Sequence, residues 1–92
     1  MEISVRIPTP LRRLTNGQDK VTVTSTTIKN MVNDLEETFP GMKKRLCDDD
    51  GNLRNFVNVY VNGEDVRFLN GMETSLQNGD EVSLVPAVAG GI

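Results

Sequence analysis

Histidine and tryptophan are absent from all 92 residues, and Cys47 is the only cysteine. Without histidine the commonest general base and metal ligand is missing, which argues against a self-sufficient enzyme. A lone cysteine excludes an intrachain disulfide and fits a reducing compartment. The acids at Asp48, Asp49 and Asp50 would raise its pKa, so Cys47 reads as a packed or idle thiol and not as a nucleophile. Those acids with Gly51 resemble a calcium loop only superficially. The alternate-position ligands and closing glutamate are out of place, so no metal site is expected. No glycine-rich phosphate loop occurs. No apolar run approaches the ~18 residues of a membrane span, and the N-terminus has no signal-peptide core, so a cytoplasmic protein is expected.

Positive charge is also scarce: ten lysines and arginines against thirteen acids leave a net charge of −3, with a pI near 4.8. That balance argues against nucleic acid or an anionic membrane as the main partner. Arg12-Arg13 and Lys43-Lys44-Arg45 are short basic clusters that read as solvated surface. The share of hydrophobic residues, 37%, is ordinary for one small globular domain.

Glu2 to Ile7 alternates strictly, which predicts a half-buried strand with Ile3, Val5 and Ile7 inward. Pro8 and Pro10 end it, and Leu11 to Asp19 reads as a loop with a turn at Asn16-Gly17. Lys20 to Thr24 is the expected partner strand of a hairpin. Ile28, Met31, Val32, Leu35 and Phe39 then form a stripe down one helical face. Ser25, Thr26 or Thr27 caps this helix, and Pro40-Gly41 stops it. Glu36 and Glu37 oppose the macrodipole at its C-terminal end, and Met42 to Leu46 adds a short helical turn. Phe56 to Val61 is the strongest strand, Asn62-Gly63 a hairpin turn, and Val66 to Phe68 the expected return strand. The last strand runs from Glu81 to Val85, where Pro86 ends the pairing.

The order β-β-α-β-β-β, with one amphipathic helix, predicts a two-layer α+β domain over residues 1–86. If the first and last strands pair in parallel at the sheet centre, the arrangement is a β-grasp: a mixed sheet of four to five strands on one main helix. With Val57, Val59 and Val61 turned to the helix, Phe56, Asn58 and Tyr60 take the opposite face. Arg6 and Val85 share that face, together with Ser4 and Ser83. Two aromatics, a valine and an arginine on an otherwise solvated surface have the composition of an interface, so Phe56, Tyr60, Val85 and Arg6 are the expected partner-binding face.

Residues 87–92 read as a flexible Gly-Gly tail. Gly90 and Gly91 lack Cβ atoms and suit a tail threaded through another protein's active site, where bulkier residues would collide. The segments VRIPTPLRRLTNGQ, FVNVYVNGEDVRF and NGDEVSLVPAVAGG, with the β-grasp order, resemble the MoaD/ThiS family of ubiquitin-like sulfur carriers. Within it the likeness leans to the CysO-type carriers of cysteine biosynthesis.

The resemblance implies that the protein is a co-substrate and not an enzyme. It also implies that an E1-like adenylyltransferase activates the Gly91 carboxylate with ATP. Sulfide then converts it to a thiocarboxylate, while the chain binds no cofactor of its own. Ala87, Val88, Ala89 and Gly90 would thread the tail. A PLP-dependent synthase would accept the sulfur, and a zinc metallopeptidase would trim the adduct. Ile92 departs from the family pattern, since it masks that carboxylate: either a peptidase removes it first, as expected here, or the extra residue silences the carrier. Sulfur transfer to molybdopterin or thiamine, and ubiquitin-like modification of lysines, are the alternatives. The plainest is a stable interaction domain with an incidental tail.

Overall fold

The computed structural model describes residues 2–86. The expected tail, 87–92, lies outside the described residues.

Alternation governs the opening hairpin. Strand β1 (Ile3–Arg6) buries Ile3 and Val5, and β2 (Lys20–Val23) buries Val21 and Val23 on the same side. The two pair antiparallel, with Ile3 opposite Val23 and Arg6 opposite Lys20. The connection is not the plain loop expected: residues Thr9–Thr15 form a 3-10 helix. Pro8 and Pro10 end the strand, but proline also suits a helix's first turn, where its missing N–H has no partner to lose. Leu11 and Leu14 then pack against the core, and the buried Thr15 hydroxyl bonds the Gln18 carbonyl at 2.8 Å. Asn16 closes this segment in the left-handed region, with φ of 58°.

Helix α1 (Ile28–Thr38) is capped by Thr27, whose hydroxyl accepts from the Asn30 amide at 3.1 Å. Ile28, Met31, Val32 and Leu35 are buried as the stripe predicts, and Phe39 is half-buried just beyond the end. Backbone bonds between Ile28 and Thr74 and between Leu76 and Thr26 tie the helix start to the segment before the last strand. The short helix α2 (Met42–Leu46) follows, anchored by buried Met42 and Leu46.

Strand β3 (Val57–Val61) starts one residue later than expected, leaving Phe56 in the preceding turn. At the hairpin, Asn62 and Gly63 have φ of 52° and 90°, the pair of positive values that a type I′ turn demands. The return strand is β4 (Glu64–Asp65), earlier and shorter than expected. Val66–Phe68, taken as a strand on its β-branched and aromatic residues, is instead a 3-10 turn. The Asp65 carboxylate accepts the Arg67 amide at 2.8 Å and caps that turn, while Val66 plugs the core.

Strand β5 (Glu81–Pro86) includes the proline expected to follow it, with Val57 opposite Pro86. Proline lacks the N–H but keeps a strand-compatible φ, so it closes the ladder and leaves no unpaired residue before the tail. The sheet order is β2-β1-β5-β3-β4, with β1 and β5 parallel at the centre. This is the β-grasp: five strands, one face under α1, and the core between the two layers.

Candidate functional site

The side of the sheet away from α1 carries the expected interface residues, and pairing fixes where each lies. Arg6 on β1 is opposite Ser83 on β5, and Ser83 is opposite Tyr60 on β3, so the three form one row. Val85 is opposite Asn58 in the next row. Arg6 is exposed, Val85 is 42% exposed, and Tyr60 and Ser83 are half-buried. Val57, Val59 and Val61 are buried, so the two faces are assigned as the sequence predicts.

Phe56 departs from this row. It lies outside the strand, just past the last pairing, with the Arg54 guanidinium carbon 6.0 Å from its ring centroid. Phe56 is therefore at the end of the sheet, where β5 gives way to the tail, and not in its middle. The expected tail residues Ala87, Val88, Ala89, Gly90, Gly91 and Ile92 lie outside the described residues.

Asp65 is opposite Tyr60 at one edge of the face, and Glu81 balances the charge at the other. Arg6 and Lys20 are opposite one another, an unfavourable like-charge pair. Glu81 reaches both, at 3.6 and 3.8 Å. Arg6 and Lys20 are exposed and Glu81 is half-buried with its side chain reaching solvent, so these pairs contribute on the order of 0–1 kcal/mol and tune surface charge more than stability.

Sequence reasoning missed Arg67. Its guanidinium donates to Asn58 Oδ1 at 2.8 Å and to the carbonyls of Val57 and Arg54 at 2.7 and 2.9 Å. One side chain from the turn after β4 thereby fixes the start of β3 and the outward amide of Asn58. These bonds span nine to thirteen residues and two of the acceptors are carbonyls, so no periodicity announces them. Phe68, next along, is 87% exposed.

The acidic loop uses its own charge. Asp48 Oδ1 accepts the amides of Asp50 and Asn52, at 2.9 and 3.1 Å, as a local turn does. Cys47 is buried, and its thiol pKa is raised; burial is the main cause, with the Asp48 charge a lesser one. Both facts favour a packed thiol.

The ThiS family profile matches residues 5–91, a span that opens inside β1 and closes on the second glycine. The chain belongs to the ThiS family. The sulfur carrier protein CysO of Mycobacterium tuberculosis is 46% identical over 93 residues, covering 99% of this chain and all of the relative. A crystal structure of the Amycolatopsis orientalis BexX/CysO complex superposes with a TM-score of 0.90 at 41% identity, covering 94% of this chain and 96% of that one. Small archaeal modifier protein 3 of Haloferax volcanii is 43% identical over 65 residues, covering 71% of this chain and 70% of the relative. ThiS-family proteins of this kind are ubiquitin-like co-substrates, not enzymes. No described helix is long and apolar enough to cross a membrane.

Proposed function

We propose that the protein is a sulfur carrier activated at Gly91. The observation that supports this reading is the family match, whose span of residues 5–91 extends to the second glycine. An E1-like adenylyltransferase would bring the Gly91 carboxylate against ATP. A carboxylate oxygen attacks the α-phosphorus, pyrophosphate leaves, and an acyl adenylate forms. Hydrosulfide then adds at the carbonyl and AMP departs, leaving a thiocarboxylate and releasing a proton. Gly90 and Gly91 suit this chemistry because a bare backbone fits a channel too narrow for side chains.

The likeness to CysO supports cysteine biosynthesis as the route. There the thiocarboxylate sulfur would bond to the β-carbon of an activated serine held by a PLP-dependent synthase as that serine's activated oxygen leaves. A zinc metallopeptidase would later hydrolyse the cysteinyl adduct, freeing the amino acid and returning a carboxylate to Gly91. ATP and sulfide are used by the partners, and the carrier contributes its carboxylate and a docking surface. Whatever follows Gly91 must come off first, so Ile92 marks a precursor.

Intact mass spectrometry of the protein isolated from its own cells tests the reading. A chain ending at Gly91, with one oxygen exchanged for sulfur in a fraction of molecules, is the expected result. A chain that keeps Ile92 throughout, with no sulfur-bearing form in sulfide-fed cells, would count against it. The resemblance to a small archaeal modifier favours a second reading, attachment through Gly91 to lysines. Lysine-linked Gly-Gly remnants in digests of its partners would select that one.

A further inference from the structure

One feature of the surface is not used by the sheet face. An open cleft of about 290 Å³ lies between α2 and the turn before β3, lined by Lys44, Arg45, Arg54 and Phe56. We propose that this cleft docks an acidic segment of the adenylating partner and thereby positions the root of the tail. The inference rests on the carrier reading.

Three of the ten cationic side chains of an acidic protein meet here. Among the described residues the ion pairs are those of Glu81 with Arg6 and Lys20, and none involves Lys44, Arg45 or Arg54. Asp48 lines the neighbouring hollow with Arg54. Its Oδ1 is tied to two amides of its own loop. Although Glu36, Asp48 and Asp49 share a hollow with Lys44, among the described residues none of these acids forms an ion pair with the three cations.

The site is also held in shape. The Arg54 Nε donates to the Lys44 carbonyl at 2.9 Å, and its backbone amide donates to the Leu46 carbonyl at 3.0 Å. Its own carbonyl accepts from Arg67 at 2.9 Å. Phe56, 52% exposed, supplies an apolar wall beside that guanidinium. A fixed guanidinium beside two further cations and an aromatic ring matches a carboxylate-bearing peptide segment, since arginine forks carboxylates well and interfaces favour aromatics and arginine. A nucleic acid fits poorly, because three cations on a chain of net charge −3 offer little counterion release.

Location supplies the purpose. Phe56 directly precedes Val57, which pairs with Pro86, the last residue before the tail. Gly91 lies five residues further on, a reach of at most roughly 18 Å at 3.3–3.6 Å per residue. A partner gripping this cleft therefore holds the tail's root within that distance of its own catalytic groups and raises the local concentration of the carboxylate.

The test is surface plasmon resonance on the purified cognate adenylating enzyme, comparing wild type with Lys44→Glu/Arg45→Glu. Both side chains are exposed, and a thermal melt monitors the fold. At low salt the charge-reversed protein should associate about tenfold more slowly, and the difference should vanish at high salt. A milder pair, Lys44→Gln/Arg45→Gln, should show a smaller effect in the same direction and keeps the test readable if reversal loosens α2. Equal association rates for wild type and both variants, or no binding by wild type, would overturn the inference. So would saturable binding of inorganic phosphate alone at the Lys44, Arg45 and Arg54 amide signals in NMR titrations, which would make the cleft a small-anion site. ATP–pyrophosphate exchange is read separately, with wild type and variants all trimmed to end at Gly91. Exchange by wild type alongside unchanged association of the variants removes only the docking site. Charge-dependent association without exchange supports the docking site and removes the carrier reading.

Discussion

Val59 and Tyr60 are adjacent in sequence and opposite in consequence. Val59 is fully buried between sheet and helix, and truncation to alanine leaves a cavity. Val59→Ala should destabilise the protein by roughly 1–3 kcal/mol in urea denaturation. Tyr60 is half-buried on the other face, in the row with Arg6. Tyr60→Ala should leave the midpoint nearly unchanged while weakening binding to the activating enzyme by on the order of 1–2 kcal/mol. A larger stability loss at Tyr60 than at Val59 would invert that assignment. Cys47 gives a second check at this scale. Its buried thiol, with a raised pKa, should resist iodoacetamide at neutral pH and react only in denaturant. Strict alternation made Val57, Val59 and Val61 legible as core, because a strand's period assigns faces without tertiary knowledge. Arg54, Arg67 and Glu36 were not legible in their roles. Each acts on backbone groups several residues away, and such pairings leave no repeating signature.

Between elements, the junction of α1 and α2 resolves a conflict left by the sequence. Glu36 is on the wrong end of α1 for its macrodipole. Its carboxylate, however, accepts the Lys43 amide at 2.8 Å and the Gly41 amide at 3.2 Å, so it caps the start of α2. A charge unfavourable to one helix is favourable to the next. Those two amide bonds, with Lys43 and Lys44 nearby, lower the Glu36 pKa below its usual 4.5. A depressed folded-state pKa means stability fully present above the unfolded value and lost as pH falls through the folded one. Wild type should therefore exceed Glu36→Gln in melting temperature at neutral pH, with the gap closing as pH drops below about 4.5. A gap unchanged across that window would show that the carboxylate's charge is not what matters. The three elements misjudged from sequence share a cause. Thr9–Thr15, Val66–Phe68 and the end of β5 at Pro86 were each read through local propensity. Each is decided by what packs beneath it or caps it: Leu11 and Leu14, Val66 and Asp65, and the pairing with Val57.

Across the whole molecule, the body and the tail divide the work. Adenylation needs a free carboxylate at the residue that reaches ATP, and an extra residue moves it by up to ~3.6 Å, further than in-line attack tolerates. The form carrying Ile92 should be inert in ATP–pyrophosphate exchange, and the form ending at Gly91 active. Equal rates, with Ile92 still present by mass, would remove the precursor idea. In the trimmed form Gly91→Ala should abolish exchange without changing the melting temperature. The β-grasp order was legible because β1 and β5 alternate cleanly and too much chain separates them for a hairpin. Their central, parallel pairing also has a mechanical meaning. The chain enters β1 at one end of the sheet and leaves β5 at the other, with Ser4 beside Glu81 and Arg6 beside Ser83. Tension applied between the two ends would load the β1–β5 ladder in shear, so many bonds must yield together instead of unzipping singly. Tension on the tail alone is shared with β3 on the other flank of β5. A handle built into the centre of the sheet lets a partner pull hard on the C-terminus without peeling the protein open.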